Sequence, residues 1–427
     1  MTAHVFQRSD VNQMRLHVLP TKQFKTFAIS VFIGWPLSEQ WVTPVALTPF
    51  VLRRGNRTYP ETIRFRERLD DLYGAGFGFD IFKRGDRQIV HFRMDMIEDR
   101  YVSTGDALLK EAIAFLGETI TCPANENGRF LSTYVEAEKS TLQKKLESII
   151  NDKIRYAAER CMEEMCANEP YRLHPLGRIA DLAEITGDTL SDRYQVWLRE
   201  APIDIYVVGN TTADEAAEYV SSAFKMPREE TMPVYEHPPM AIPEHSPRTI
   251  VERLDVKQGK LNMGLRTGVS YADDAYPAAL MYNGILGAYP HSKLFTNVRE
   301  KASLAYYASS RLDGHKGILT IQSGIEIENY EKAVRIIQEQ LEAIRRGNIS
   351  ELELEQTRAM ITNQLRESQD SAFEVISLDF NTILSGRERP VEQLQAELAA
   401  VGLEAIQAVA EQVRLDTIYF LRDAKGE

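Results

Sequence analysis

Two side chains in the second half of the chain, Arg299 and Tyr306, have chemistry suited to holding a carbonyl or carboxylate group. They lie in the stretch Asn297 to Tyr307, which joins a charged helix end to an apolar strand start. A guanidinium offers a planar fork of donors, and a phenol offers one hydroxyl. Taken alone, such a pair is more often a solvated arginine and a half-buried strand tyrosine. Its interpretation therefore depends on the elements that position it.

Length and composition set the first limits on those elements. A chain of 427 residues is too long for one ordinary core and predicts two or three domains. The apolar content of 44% and charged content of 26% are typical of globular proteins. The formal net charge of -12 argues against nucleic acid or an anionic membrane as partner, since both require a basic surface.

The N-terminus and the cysteines indicate the compartment. Residues 1–8 lack the apolar core of a signal peptide, and no apolar run further on is long enough to span a bilayer, so we expect a cytoplasmic protein. Three cysteines, Cys122, Cys161 and Cys166, are too few and too odd in number for a disulfide framework. We expect Cys161 and Cys166 to be buried free thiols.

The first half of the chain alternates strand patterns with helical ones. Residues 27–33 are mostly β-branched or aromatic and predict a strand. Pro44 opens a short helical run, a second helix follows over residues 63–73, and two strands flank the turn at Gly85. Residues 130–165 contain neither Pro nor Gly and carry apolar residues at helical steps, which predicts one long amphipathic helix.

A proline-rich segment near the midpoint separates two similar halves. Residues 226–247 hold six prolines and no apolar period, which predicts a semi-rigid linker. After this linker the strand pattern of residues 25–34 returns at 260–269, and the helical run from Pro44 returns at Pro277. Equivalent positions stay in order along the chain, which indicates an internal repeat.

The repeat predicts the fold class. The strand pair around Gly314 to Gly317 copies the pair around Gly85, and each half closes on a similar strand. We predict an α+β fold with two homologous domains, each a mostly antiparallel sheet with packed helices. The predicted division is a domain over residues 1–225, the linker over 226–247, and a second domain over 248–427.

This layout resembles the insulinase (pitrilysin-like) zinc peptidases over nearly the whole chain. Active members carry H-x-x-E-H on the first long helix of the first half, where two His bind zinc and the Glu activates a water. When the motif is anchored at Arg54-Gly55, its positions fall on Ala46, Pro49 and Phe50. Ala and Phe have no atom that binds a metal, and Pro has no carboxylate. No other register restores the motif, because no two of the eight histidines are four residues apart.

The third ligand of the family is the second Glu of an E-x6-E pattern on the long helix. Here Glu138 takes the first position and Lys145 the second, and a protonated Lys repels a metal ion. Glu126 fits the family spacing better but falls in a loop. We therefore expect no metal on this chain, and the degenerate motif positions are Ala46, Pro49, Phe50 and Lys145.

The second-half motif of the family is intact. The pattern R-E-x-x-x-L-A-Y, which in active relatives holds the substrate backbone near the zinc, is present from Arg299 to Tyr306. Before it, residues 284–290 resemble a glycine-bearing family loop, although a helix stop explains the glycines equally well. The resemblance thus implies a substrate-binding role for Arg299 and Tyr306 and no catalytic residue on this chain.

A lost zinc site beside an intact Arg/Tyr motif resembles the partner subunit of two-component processing peptidases. The resemblance implies a non-catalytic subunit, one clamshell half of a heterodimer whose zinc lies on the partner, acting on peptides. A scaffold subunit of the same fold with no peptide role is the alternative. A hydrolase with an unrecognised site is a third reading, although the sequence shows no G-x-S-x-G elbow, P-loop or dinucleotide fingerprint. The peptide substrate and the partner's identity stay open.

Overall fold

The structure is a computed structural model that describes residues 5–102, 107–236, 242 and 246–424. It divides into two compact units, and each contains one large sheet. The first unit comprises Met1–Glu147, Leu173–Glu236 and Ser371–Ser377; the second comprises Ser148–Arg172, His237–Asp370 and Leu378–Glu427. The second unit thus takes residues 148–172 from the first half of the chain, and the predicted domain limits at 225 and 248 stay a prediction.

A six-stranded sheet in the order β1-β2-β8-β3-β5-β4 forms the centre of the first unit. Its neighbours pair antiparallel except β2 and β8, which are parallel. The eight β-strands of this part of the chain, including a separate short hairpin, are β1 Gln7–Val11, β2 Met14–Pro20, β3 Thr26–Pro36, β4 Gly76–Arg84, β5 Arg87–Ile97, β6 Asn125–Glu126, β7 Arg129–Phe130 and β8 Ile203–Gly209. β3 is buried along most of its length, as its β-branched and aromatic sequence predicts.

Helices of the first half other than Lys153–Met165 (α5) pack on this sheet and complete the first core. Those of the first half are α1 Val42–Leu52, α2 Thr62–Asp71, α3 Leu108–Thr121, α4 Ser132–Ile149, α5 Lys153–Met165, α6 Ile179–Leu182, α7 Gly187–Glu200 and α8 Ala213–Ala223. α1 is buried at every position except Pro44 and runs through Pro49. A helix that is apolar all round belongs inside a core, which explains why α1 lacks a polar face.

The single long helix predicted over residues 130–165 is wrong. The chain forms two helices there, α4 and α5, separated at Asn151-Asp152. The Asp152 side chain accepts a hydrogen bond from the Arg155 N–H and caps a new helix. α5 then packs on strands of the second sheet, where Cys161 and Met165 are buried. Each of the two helices buries one face, so apolar residues recur at helical spacing on both sides of the break. The spacing of apolar residues therefore gives no sign of the break.

A five-stranded sheet in the order β11-β12-β10-β13-β9 forms the centre of the second unit. Its strands are β9 Arg248–Leu254, β10 Gly259–Arg266, β11 Ala305–Asp313, β12 Ile318–Ile325 and β13 Arg414–Asp423. β9 and β13 are parallel and the other neighbours are antiparallel. This order repeats that of β4-β5-β3-β8-β2 in the first sheet, strand for strand and with the same senses. The predicted α+β class with two sheet-containing halves is confirmed.

The second half of the chain contains six α-helices within the described residues, and the first of them is the helical run predicted from Pro277. They are α9 Tyr276–Asn283, α10 Tyr330–Arg345, α11 Glu351–Glu367, α12 Ala372–Ser385, α13 Val391–Ala400 and α14 Leu403–Gln412. Of the helices in the described ranges, none combines the length and apolar composition needed to cross a bilayer.

Part of the predicted linker is fixed to the first unit. Tyr235 is buried, and its hydroxyl lies 3.0 Å from the Asp204 carboxylate on β8. The Pro233 carbonyl accepts a hydrogen bond from Arg15, and Arg228 donates to the Ala201 carbonyl. Residues 226–236 therefore lie along the first unit. Residues 237–241 and 243–245 of the predicted linker lie outside the described residues.

One histidine of the first sheet makes stability depend on pH. The His91 ring stacks on Phe32 at a centroid distance of 4.0 Å, and its Nε2 lies 2.9 Å from the Ser30 hydroxyl. Burial disfavours the imidazolium, and the nearby Arg93 charge adds to the effect, so the pKa of His91 falls from 6.5 to about 3.

We expect the free energy of unfolding to fall as pH drops from about 6.5 towards 3, because the unfolded chain then binds a proton that the folded chain excludes. His91→Gln should remove this contribution, which amounts to less than ~1.4 kcal/mol per pH unit. Denaturant titrations of both proteins at pH 7, 6 and 5 measure it. An equal pH slope in the two proteins would contradict the prediction.

Candidate functional site

The positions assigned to the zinc motif lie together on α1 and are inside the core. Ala46 has no exposed surface, and Phe50 is 2% exposed. Pro49 is buried within the same helix. The Phe50 ring packs edge-on against Phe79 of β4, with centroids 4.9 Å apart. The side chains at these positions contain only carbon and hydrogen, so none of them can bind a metal or act as a general base.

Side-chain cations lie beside Phe50. The Lys145 ammonium lies 5.5 Å from the centre of the Phe50 ring, and the Arg53 guanidinium carbon lies 5.2 Å from it. Both positions allow an attraction between the cation and the ring face. The structure thus brings Lys145 of α4 next to Phe50 of α1, where the family pattern would place two zinc ligands. A divalent cation does not fit there, because the nearest charged groups are positive.

The Glu138 carboxylate is buried on α4 and paired with arginines. Arg54 Nε lies 2.5 Å from one carboxylate oxygen, and Arg53 Nη2 lies 3.3 Å from the other. Glu126, which fits the family spacing better, is exposed in the β6–β7 hairpin. No group of three or more His, Cys, Asp or Glu side chains arranged to hold a metal occurs within the described part of the chain. The assignment of Glu138 and Lys145 to the E-x6-E pattern stays a prediction.

Arg299 lies in a helical segment of unusual geometry. Phe295–Lys301 forms a π-helix, a form that is rare and often found at functional sites. The Arg299 side chain is exposed, and its guanidinium carbon lies 4.6 Å from the centre of the Phe295 ring. Ser303, just after the segment, has a φ of 49°, a left-handed conformation uncommon for a residue other than glycine.

Tyr306 occupies a bulge at the start of the edge strand β11. Ala305 pairs with Ile325 and Tyr307 with Gly324, so Tyr306 has no partner in the register. Bulges redirect side chains and are frequent next to functional sites. The Tyr306 side chain is 56% exposed. Arg299 and Tyr306 are therefore accessible on either side of the short turn at Ser303.

The Tyr306 hydroxyl has a partner that the sequence did not reveal. It donates a hydrogen bond of 2.5 Å to Glu326 Oε1, and this bond raises the pKa of the phenol above its usual value. Glu326 follows β12, the strand that pairs with β11. In the sequence, the position of Glu326 directly after Ile325 could point to this contact. That inference requires the register of β12 on β11.

The glycines before the Arg/Tyr motif serve close packing. Gly284–Ala288 continues α9 as a π-helical segment, so a helix stop does not explain them. A Cβ on Gly287 would lie 2.7 Å from the Ser310 nitrogen of β11, and one on Gly284 would lie 2.3 Å from the Thr357 methyl group. The absence of side chains lets this segment approach β11 and α11.

Sequence comparison identifies the family. The chain is 39% identical over 410 residues to the probable inactive metalloprotease YmfF of Bacillus subtilis, covering 96% of each protein. The chain belongs to the M16 peptidase family. Residues 184–361 match the model described as the Peptidase M16 inactive domain. A second relative in Bacillus subtilis, the uncharacterized zinc protease YmxG, is 26% identical over 301 residues, covering 66% of this chain and 70% of its own length.

Solved structures agree with the M16 assignment. A conserved protein from Enterococcus faecalis superimposes with a TM-score of 0.90 at 33% identity, covering 99% of both chains. The M16 inactive domain from Pseudomonas fluorescens gives 0.81 at 17% identity over 99% of both chains. The predicted resemblance to insulinase-type zinc peptidases is confirmed, since a relative named as a probable inactive metalloprotease and the M16 inactive-domain model both match this chain.

Proposed function

We propose that this chain is the non-catalytic, substrate-binding subunit of a heterodimeric zinc peptidase that processes peptides. Its partner is a homologous chain with an intact H-x-x-E-H motif, and the zinc belongs to that partner. The observation that carries the proposal is an asymmetry within the chain. The zinc motif positions on α1 are buried apolar side chains and Lys145 is a cation, whereas Arg299 and Tyr306 are exposed and lie where the backbone geometry is unusual.

The chemistry of these two residues supports a clamp on a peptide backbone. A guanidinium binds a carbonyl or carboxylate oxygen through charge-assisted hydrogen bonds. A phenol can donate to a carbonyl oxygen on which negative charge develops during cleavage. β11 is an edge strand, and an extended peptide can pair with the free side of such a strand. Arg299 would thus hold the peptide, and Tyr306 would stabilise the reacting carbonyl.

The names of two relatives support a pair made of one non-catalytic subunit and one zinc-bearing subunit. Bacillus subtilis contains both a relative named as a probable inactive metalloprotease and one named as a zinc protease. One organism therefore carries relatives of this chain with both descriptions.

Mixing this chain with a homologue that carries an intact H-x-x-E-H motif tests the proposal. We expect the mixture to cleave members of a peptide library, a chelator to abolish cleavage, and this chain alone to be inactive with added zinc. The assay compares each chain alone with the equimolar mixture. Cleavage by this chain alone, or a homologue whose rate does not change when this chain is added, would contradict the proposal.

A scaffold subunit without a peptide role is the second candidate. It is favoured by contacts that occupy both motif side chains within the chain: Tyr306 bonds to Glu326, and Arg299 lies over Phe295. In that case the pair only stabilises the turn before β11. The two candidates differ in their response to Tyr306→Phe in the assembled peptidase.

A further inference from the structure

A cavity of about 330 Å³ lies in the first unit where α2 and β4 meet α4 and the end of α1. Its lining includes three arginines, one carboxylate and an apolar wall: Arg53, Arg54, Arg66, Glu138, Phe65 and Phe77. None of the degenerate zinc positions lines it. Its volume is at the lower end of the range of small-molecule sites.

The side chains that line this cavity carry a net positive charge. Three guanidinium groups face one carboxylate, in a chain whose net charge is -12. Glu138 is already paired, because Arg53 and Arg54 each donate to one of its oxygens. Arg66, exposed on α2, makes no hydrogen bond or ion pair with any described residue. An added anion would therefore meet uncompensated positive charge.

Free donors remain on all three arginines. Arg54 uses only Nε, and Arg53 only one terminal nitrogen, in hydrogen bonds to described residues. The lining threonines offer no donor, since the hydroxyls of Thr62 and Thr141 donate to the carbonyls of Arg54 and Ala137. The guanidinium groups are thus the donors available to a ligand. Their planar forks match a carboxylate in two-point hydrogen bonding.

The apolar wall restricts the ligand further. Phe65 is buried and Phe77 half-buried beside the arginines. A small inorganic anion would leave these rings unused, whereas an apolar residue that carries a carboxylate would contact both. We propose that this cavity binds the C-terminal carboxylate of a peptide whose last residue is apolar. The site lies in the first unit, on residues other than Arg299 and Tyr306, and its test does not depend on a partner subunit.

Titrating the full chain with a fluorescent peptide that ends in Phe tests the inference. We expect the free acid to bind at least about tenfold more tightly than the C-terminal amide, the size of a lost charge-assisted hydrogen bond. Arg66→Gln should weaken binding of the acid by about tenfold and leave binding of the amide unchanged. Arg66 is exposed, so this variant should fold normally.

Arg64→Gln is the matched control, because Arg64 is also an exposed arginine of α2 but does not line the cavity. It should bind the acid as the unmodified chain does. Equal binding of acid and amide, or equal weakening by Arg64→Gln and Arg66→Gln, would overturn the inference. Equal binding by an amidated peptide with an internal Glu would overturn the assignment to a C-terminus. Complete displacement by millimolar phosphate would overturn the peptide assignment in favour of a free anion.

Discussion

Tyr306→Phe should lower the turnover of the assembled peptidase by roughly ten- to a hundred-fold, the effect of losing one hydrogen bond to a charge that develops during the reaction. The substitution removes only the hydroxyl, and the side chain is largely exposed, so the fold should be unaffected. Steady-state kinetics of the reconstituted pair measure kcat and kcat/KM. Both should fall together, because the bond forms in the transition state rather than on substrate binding.

Two further variants separate a clamp from a structural tyrosine. Tyr307→Phe removes a neighbouring hydroxyl on the same strand and should leave kinetics unchanged. Glu326→Gln weakens the bond that holds the Tyr306 hydroxyl, so turnover should stay the same or rise a few-fold, since exposed charged contacts are weak. If Tyr306→Phe left the kinetics unchanged, the clamp role would be wrong. If Glu326→Gln lowered turnover as much as Tyr306→Phe does, the tyrosine would act by fixing the turn rather than by contacting the substrate.

Asp204→Asn should lower the free energy of unfolding of the first unit by about 3 kcal/mol. The substitution replaces the carboxylate with a neutral amide, so the Arg15 cation loses its charged partner in the core. The Asp204 carboxylate is fully buried on β8. Arg15 donates to both of its oxygens at 2.7 and 2.6 Å. His17 Nε2 lies at 2.8 Å and the Tyr235 hydroxyl at 3.0 Å. Denaturant-induced unfolding of the variant and the original chain measures the loss.

The effect of Asp204→Asn should also depend on pH. Burial alone would raise the pKa of the Asp204 carboxyl, but hydrogen bonds from Arg15 and His17 outweigh it and hold the pKa below 3.8. The carboxylate therefore stabilises the fold fully above about pH 4, and this contribution disappears as pH falls through the folded-state pKa. The difference between the two proteins should be complete at pH 6 and shrink below pH 4.

Asp80→Asn is the matched control for the same sheet. Asp80 pairs with Arg93 at 3.4 Å, and both side chains are about half exposed. An exposed pair contributes at most about 1 kcal/mol, so this variant should change stability little. Equal losses in the two variants would show that the buried network around Asp204 has no special role.

The sequence by itself determined the architecture of the two halves and the loss of the zinc site. The repeat was visible because each strand and helix is specified by a local pattern of apolar residues, and the same patterns recur in the same order. The loss of the zinc site followed from residue identity, since Ala46 and Phe50 lack donor atoms in any conformation. The family relatives and the sheet order agree with the first conclusion, and the assignment of the zinc motif to these positions stays a prediction.

Only the tertiary structure decided which side chains meet. The break at Asp152 and the packing of α5 in the second unit depend on contacts with strands more than 90 residues away in the chain. The pairing of Tyr306 with Glu326 requires the register of β11 on β12, and the arginine-lined cavity requires three helices and a strand to converge. Such contacts leave no local pattern, because each residue involved is an ordinary charged or aromatic residue of its own helix or strand.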